Sequence, residues 1–492
     1  MSNLDRGIAR KAGALSVLVA VVLGSGCASR VVYVRPADPT QTQYAQPSAT
    51  VKASANGRGD ASIAQVSFGE RAPDTWWTLL GSEQINRLVS LALANNQSVA
   101  SAQAHLAAAR EQIRAARGAW YPQIDMTTAA QRTRYGAPVL GSLARDFPPY
   151  SAYAAGPTVS YDLDVFGGTR SRVEQTRASA QYASAQLDAV ALSVSGNVVI
   201  EALQIAALRA QIRVAQGIIA DDENSLTLIR AAREAGAVSQ MDVLSAQSQA
   251  DHDRTLLPPL RQELSVAQDV LSGLMGIAPS DWTAPVVDMD ELNLAEHLPV
   301  ALPSELVHRR PDISVAEAQL RAASATVGIA TANLYPRFTL SAAVGEQGLL
   351  GGGPSETAWN IVGGLTTPMF HGGALTAERR AAQDEYRAAF ATYQQTVLDA
   401  FSQVAAALEA LGNDAALLGT QQQALESAGA SLSLTRQAYA AGNAAYVQVL
   451  DAQRLHEEAQ LGEVQANSQR YVDVVKLLLA AGGRVDSPGD QR

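Results

Sequence analysis

Apolar residues recur at helical spacing from about Ser82 to Gly118, opening with Ile85, Leu88, Val89 and Leu91 and continuing through Ala-rich turns to Arg117. Trp120-Tyr121-Pro122 ends the run, because a residue before proline is pushed out of the helical region. The period then changes to two. An alternating stretch, Ile124 to Arg132, precedes a Gly/Pro loop from Arg134 to Pro149 and a second strand from Thr158 to Val165. In that strand Val159, Tyr161, Leu163 and Val165 share one face; Thr158, Ser160, Asp162 and Asp164 share the other. After Phe166-Gly167-Gly168 a helical pattern runs from about Thr169 to Ala235 without a proline. At 1.5 Å per residue such a rod is about 100 Å long, more than an ordinary globular domain holds. A return helix from Val238 towards Gly273 is interrupted at Pro258-Pro259.

The second half repeats this order. A helix over Pro303 to Asn333 ends at Leu334-Tyr335-Pro336, and a strand follows from Arg337 to Val344. A Gly-rich loop from Glu346 to Ser355 leads to a strand from Trp359 to Met369, and Phe370-His371-Gly372-Gly373 echoes Phe166-Gly167-Gly168. A second long helix, about Ala374 to Ala441, returns through Asn443 to Leu479. The repetition is literal at the ends of the long helices. Leu226–Gln247 and Leu432–Gln453 align without a gap, with ten of 22 positions identical. A spacing of 206 residues is too long for a solenoid and points to one large unit duplicated and fused. Gly236 and Gly442 follow the long helices where a positive φ is needed, so each marks a turn between outgoing and returning helices.

Composition sharpens this picture. Aromatic residues make up only 5% of the 492, which suits long, closely packed helices better than large compact cores. Net charge is −10 and there is no basic run, so nucleic acid is not an expected partner. Arg10-Lys11 precedes a short apolar stretch, residues 12–23, and then Gly24-Ser25-Gly26-Cys27. That is the build of a secretory signal peptide, too short to span a bilayer. Cys27 is the only cysteine, so no intramolecular disulfide can form. The expected organisation is a signal peptide (1–26), an extended segment (27–80), a first repeat (81–278, hairpin about 121–166), a linker (279–302), a second repeat (303–483, hairpin about 337–370) and a tail (484–492).

Four strands cannot close around a lumen, and an open sheet would leave its edges unsatisfied in hydrocarbon. Each strand is long enough to cross an outer membrane when tilted. Copies of the chain must therefore complete one another, and three would give twelve strands with helices beneath them. The predicted fold class is mainly α with transmembrane β.

The chain resembles the TolC-like outer membrane factors, specifically the OprM-like, NodT-type lipoprotein branch. The resemblance rests on Leu302-Pro303-Ser304-Glu305-Leu306, His308-Arg309-Arg310-Pro311-Asp312-Ile313, Ala316-Glu317, Leu320 and Tyr335-Pro336. Trp76-Trp77, Leu93-Ala94-Asn95-Asn96 and Tyr161 to Gly167 add to it. It implies a homotrimer whose twelve-stranded β-barrel continues into a twelve-helix periplasmic α-barrel. It also implies an exit channel for a tripartite efflux system, fed by an inner-membrane pump of the resistance-nodulation-division (RND) type through a periplasmic adaptor. A similar duct could serve type I protein secretion or heavy-metal cation efflux. A trimeric surface stalk or adhesin is the rival of another class, disfavoured because strands interrupt the helices twice at matching places. Cys27 sits where such lipoproteins are acylated, although Gly24 stands where Leu is usual; the covalent lipid would be the only attached group, with no cofactor.

The same resemblance assigns roles at the helix tips. Val447 and Asp451, four residues apart on one helix face, align with a narrowing where an apolar ring stands above an acidic one. Three copies of Asp451 would converge there and favour cations. By spacing alone Asp451 is simply a solvated helix carboxylate. Asp242 and Tyr439 match positions that tie closed tips together, but Ala444 replaces the arginine partner, so an ionic latch is not expected. The turns Gly236-Ala237-Val238 and Gly442-Asn443-Ala444 match adaptor-contact sites. Arg309-Arg310-Pro311-Asp312 is expected to cap helices rather than bind anions. Catalysis has no support: the six histidines lack metal-ligand spacing, and Gly351-Gly352-Gly353-Pro354 lacks the strand and helix of a phosphate loop.

Overall fold

A computed structural model of the chain describes residues 33–41, 43–44, 65–134 and 148–483. The signal-peptide and Cys27 readings, and the tail 484–492, fall outside the described residues. In chain order the elements are β1 (Gln65–Phe68), α1 (Glu83–Asn95), α2 (Gln97–Gly118), β2 (Gln123–Thr133), β3 (Tyr150–Leu163), α3 (Gly168–Glu234), α4 (Gln240–Arg254), α5 (Leu257–Leu274), β4 (His297–Val300), α6 (Pro303–Arg309), α7 (Pro311–Ala332), β5 (Arg337–Leu349), β6 (Glu356–Thr366), α8 (Ala374–Ala440) and α9 (Tyr446–Ala480). Both rods, α3 and α8, have 67 residues. A window of α3 is long and apolar enough to cross a bilayer, but more than half of it is buried within the chain, as in a core helix.

The chain forms two compact units, and both repeats contribute to each. Of the described residues, one unit holds 33–36, 106–134, 148–182 and 316–393. Its centre is an antiparallel sheet in the order β2-β3-β5-β6. The register sets Ile124 opposite Val159, Val159 opposite Ala342 and Ala342 opposite Ile361. Residues directly opposite one another point the same way, so Ile124, Met126, Val159, Tyr161, Leu340, Val344, Trp359, Ile361 and Leu365 make one apolar face. That face is bare: Ile124 is 71% and Trp359 74% exposed. Gln123, Asp125, Ser160, Asp162, Thr339, Ser341 and Asn360 lie on the other side. β2 and β6 are the two edges.

The strands differ from the alternating pattern mostly by running further, although β3 stops at Leu163 rather than Val165 and β6 runs Glu356–Thr366 rather than Trp359–Met369. β3 begins at Tyr150 and β5 continues to Leu349, because Ala152–Ala155 pair with Glu346–Leu349. Gly156-Pro157, which look like a break, lie inside the ladder. A side chain at Gly156 would meet Val344 O at 2.1 Å and Gly345 Cα at 2.4 Å, so two glycines permit this close backbone approach. The glycine-rich turn is shorter than expected, with Gly351, Gly352 and Gly353 at positive φ between β5 and β6. At the strand–helix junction Asp164 accepts from Thr169 N and Arg170 N, capping α3, and Phe166 stacks on Tyr335 with ring centroids 4.8 Å apart. The two junction motifs of the repeats therefore meet.

Of the described residues, the other unit holds 37–41, 43–44, 65–105, 183–315 and 394–483. Its fully buried side chains include Trp76, Leu80, Ile85, Leu203, Leu271 and Leu306. A single helix was expected over 82–118, but it breaks at Asn96, whose ψ of 127° is extended. Asn96 Oδ1 accepts from Ser98 N and Val99 N, and its Nδ2 donates to Leu274 O, so the side chain starts α2 while holding the end of α5. β1 and β4 pair in parallel, joining the extended segment to the linker, a contact between stretches expected to lack regular structure. Arg310 is buried and donates to Asp312, Gln403 Oε1 and the carbonyl of Ala480, which closes one helix start and one helix end.

Candidate functional site at the helix tips

The second unit carries both turns that the duplication predicts, and their backbone bonds match pair by pair. Gly236 N donates to Arg233 O at 3.0 Å and Ala237 N to Ala232 O at 2.9 Å. In the second repeat Gly442 N donates to Tyr439 O at 2.9 Å and Asn443 N to Ala438 O at 2.8 Å. Gly236 and Gly442 have φ of 77° and 73°, which closes each helix with its last carbonyls satisfied. Ala237 and Asn443 are exposed, while Val238 and Ala444 are half-buried.

The returning helices start differently. Ser239 Oγ accepts from Asp242 N at 3.2 Å while Asp242 Oδ2 accepts from Ser239 N at 2.9 Å, a complete capping box. Gln448 Oε1 accepts from Ala445 N at 3.0 Å, but alanine has no oxygen to return the bond. Asp242 is therefore engaged in its own helix start. It nevertheless lies near Tyr439, whose phenol is pushed up by burial and then by the Asp242 charge. No hydrogen bond joins the two.

Beneath the turns Leu226, Ile229, Ala246, Ala250, Leu432, Tyr446, Val449 and Ala452 form an apolar cluster, with Val238, Val243, Tyr439 and Leu450 packed on it. Tyr439 and Tyr446 rings lie 5.5 Å apart. Burial, followed by the Asp222 charge, pushes the Tyr446 phenol up to about 12. Val447 and Asp451 sit on the opposite side of α9 from this cluster's Val449 and Ala452. Val447 is 57% exposed and Asp451 is exposed too. The pair expected to line a narrowing thus shares a bare helix face within a single chain.

About one turn from the apolar cluster lies a feature the sequence did not reveal. Asp222 on α3, Asp253 on α4 and Glu457 on α9 are buried together, each offering an oxygen within 4.8 Å of the others. Gln453 Nε2 donates to Asp222 Oδ1 and, at 2.9 Å, to Glu457 Oε1; Gln249 Nε2 donates to Asp253 Oδ2 at 2.7 Å. Burial, then the Asp253 hydrogen bond and the Glu457 charge, pushes Asp222 up to about 8. Burial, then the Asp253 charge, pushes Glu457 to about 7, although Gln453 and Arg436 oppose it. Two consecutive helices of the first repeat, α3 and α4, and the returning helix of the second, α9, make this group. Its only sequence signal is that Gln460 stands 206 residues after Arg254, where a repeat would keep a cation.

The family model described as outer membrane efflux protein matches residues 88–277 and 302–483. The pyoverdine export outer membrane protein OpmQ of Pseudomonas aeruginosa is 31% identical over 485 residues, covering 95% of this chain and 96% of that protein. The cation efflux system protein CusC of Escherichia coli is 26% identical over 474 residues, covering 95% and 98%. Among solved structures, the outer-membrane channel OprN superposes with a TM-score of 0.82 at 26% identity, covering 92% of this chain and 99% of that one.

Proposed function

The chain belongs to the outer membrane efflux protein family, the TolC-like channels of the OprM type, and from that membership we propose that it is a passive, trimeric exit duct in the outer membrane. The observation that carries this reading is the sheet. Its apolar face is bare and, among the described residues, the outer sides of β2 and β6 have no partner strand, a combination that hydrocarbon tolerates only if further strands complete the ladder. The order β2-β3-β5-β6 alternates in direction, so β6 of one copy meets β2 of the next antiparallel, and three copies give an even-stranded barrel.

The bare face of α9 bearing Val447 and Asp451 turns towards the axis and forms the periplasmic constriction. The turns at Gly236–Val238 and Gly442–Ala444 meet the periplasmic adaptor, which links the duct to an inner-membrane pump of the RND type. A lipid on Cys27 anchors the chain. Cargo is selected by pump and adaptor, a division of labour consistent with relatives named for pyoverdine, toluene and cations. Drugs and other small molecules are the cargo class proposed here.

Planar-bilayer recording from the purified protein tests this reading. The parent is expected to give small, cation-preferring conductance, and Asp451→Ala to lose much of that preference. A parent without conductance overturns the duct; unchanged selectivity in the variant overturns the constriction alone.

A further inference from the structure

The duplication supplies an internal control for the buried carboxylates. In the first repeat Gln247 Nε2 donates to Asp251 Oδ2 at 2.9 Å, and Arg254 pairs with the same aspartate at 2.7 Å, all of it outside the buried interior. The second repeat keeps the first half of this arrangement, Gln453 to Glu457 at 2.9 Å, and loses the cation, since Gln460 occupies the place of Arg254. Asp222 and Asp253 close over Glu457 instead. Their exposures are 4%, 5% and 8% in the order Asp222, Asp253, Glu457. Among the described residues no lysine or arginine forms an ion pair with any of the three; Arg254 turns to Asp251 and Glu223. The Asp222 Oδ2 atom is fully buried and receives no hydrogen bond from an amide, hydroxyl or cationic donor. Even with a proton shared between Asp222 and Asp253, two amide donors leave the three acids with more buried acceptor oxygens than donors, which is costly.

We propose that Asp222, Asp253 and Glu457 form a binding site for one hard divalent cation per chain, of the calcium class, which ties α3, α4 and α9 together beside the tip cluster. The donor set is all oxygen, with no imidazole or thiolate, which favours calcium or manganese over soft copper or zinc. Oxygens that all lie within 4.8 Å of one another can share one ion at calcium–oxygen distances of roughly 2.3–2.6 Å. Gln249 and Gln453 border the group and present nitrogen to it; turning either amide would add an oxygen ligand. The site lies within a single chain, so it stands independently of the trimeric duct.

Calcium titration of the chelator-stripped, full-length protein by isothermal calorimetry, with manganese uptake followed by electron paramagnetic resonance, tests the proposal. One saturable ion per chain is expected, together with a calcium-dependent rise in unfolding temperature. Glu457→Gln and the double variant Asp222→Asn/Glu457→Gln should bind at least 10-fold more weakly and lose that rise. Both replace buried acids with isosteric amides, and their unfolding temperature without calcium should equal or exceed the parent's. Asp251→Asn, the exposed equivalent, should bind as the parent does. No saturable uptake by the parent overturns the site, as does binding that survives Glu457→Gln or a stoichiometry of one ion per three chains, which would place the ion elsewhere.

Discussion

Arg310 holds four hydrogen bonds on one nearly buried side chain: two to Asp312, one to Gln403 and one to the Ala480 carbonyl. Only a planar guanidinium reaches all of these at once. Arg310→Met is expected to cost about 2–3 kcal/mol, and Arg310→Lys to recover less than half of it, measured by thermal unfolding. Gly442 is a different case. No atom lies near its missing Cβ, so the cost of Gly442→Ala is purely conformational, about 1 kcal/mol. Hydrogen exchange at residues 437–444 should then speed up roughly fivefold while the rest of the chain is unchanged. Asp414 offers a pH test. Burial, then a hydrogen bond that its protonated form donates to Asp473, pushes it up to about 6. An acid raised in the folded state adds stability that is complete below its unfolded value, near 3.8, and lost as pH rises through 6. Asp414→Asn should therefore flatten the fall in unfolding temperature between pH 4 and 6 and raise it at pH 7.5. At this scale the sequence was legible where one residue type has one use: glycines after long helices, Pro311 and Asp312 at a helix start. Asp222, Asp253 and Glu457 were not, because a carboxylate's burial depends on neighbours from other helices.

Among the elements, the rods were the most legible, since sixty-odd residues of helical period without proline admit little else; α3 starts one residue before the expected Thr169. Breaks were harder. The interruption expected at Pro258-Pro259 falls at Thr255-Leu256, because proline is accepted in the first turn of the helix that follows. The Asn96 break went unseen because apolar spacing continues through it; the asparagine itself was the available signal. Strand ends were understated for a physical reason. Pairing partners, rather than local alternation, decide where a ladder stops, and Gly156-Pro157 survive inside β3 because Gly345 yields room. That accommodation has a testable consequence. Gly156→Val should force β3 and β5 apart and greatly reduce assembled protein in the outer membrane, measured as detergent-resistant oligomer in membrane fractions. A yield equal to the parent's would mean the sheet has slack that its backbone spacing does not indicate.

For the whole molecule, the bare apolar face and, among the described residues, the two open outer edges of the sheet are what the proposed closure by further copies rests on. Water would punish the face and hydrocarbon would punish the edges, so neither solvent alone suits a single copy. Closure by identical copies resolves both at once. Size-exclusion chromatography with light scattering on the detergent-purified protein measures this most directly. Three copies of the mature chain per particle are expected, with conductance from that particle alone. A particle holding a single chain that conducts in a bilayer would contradict it.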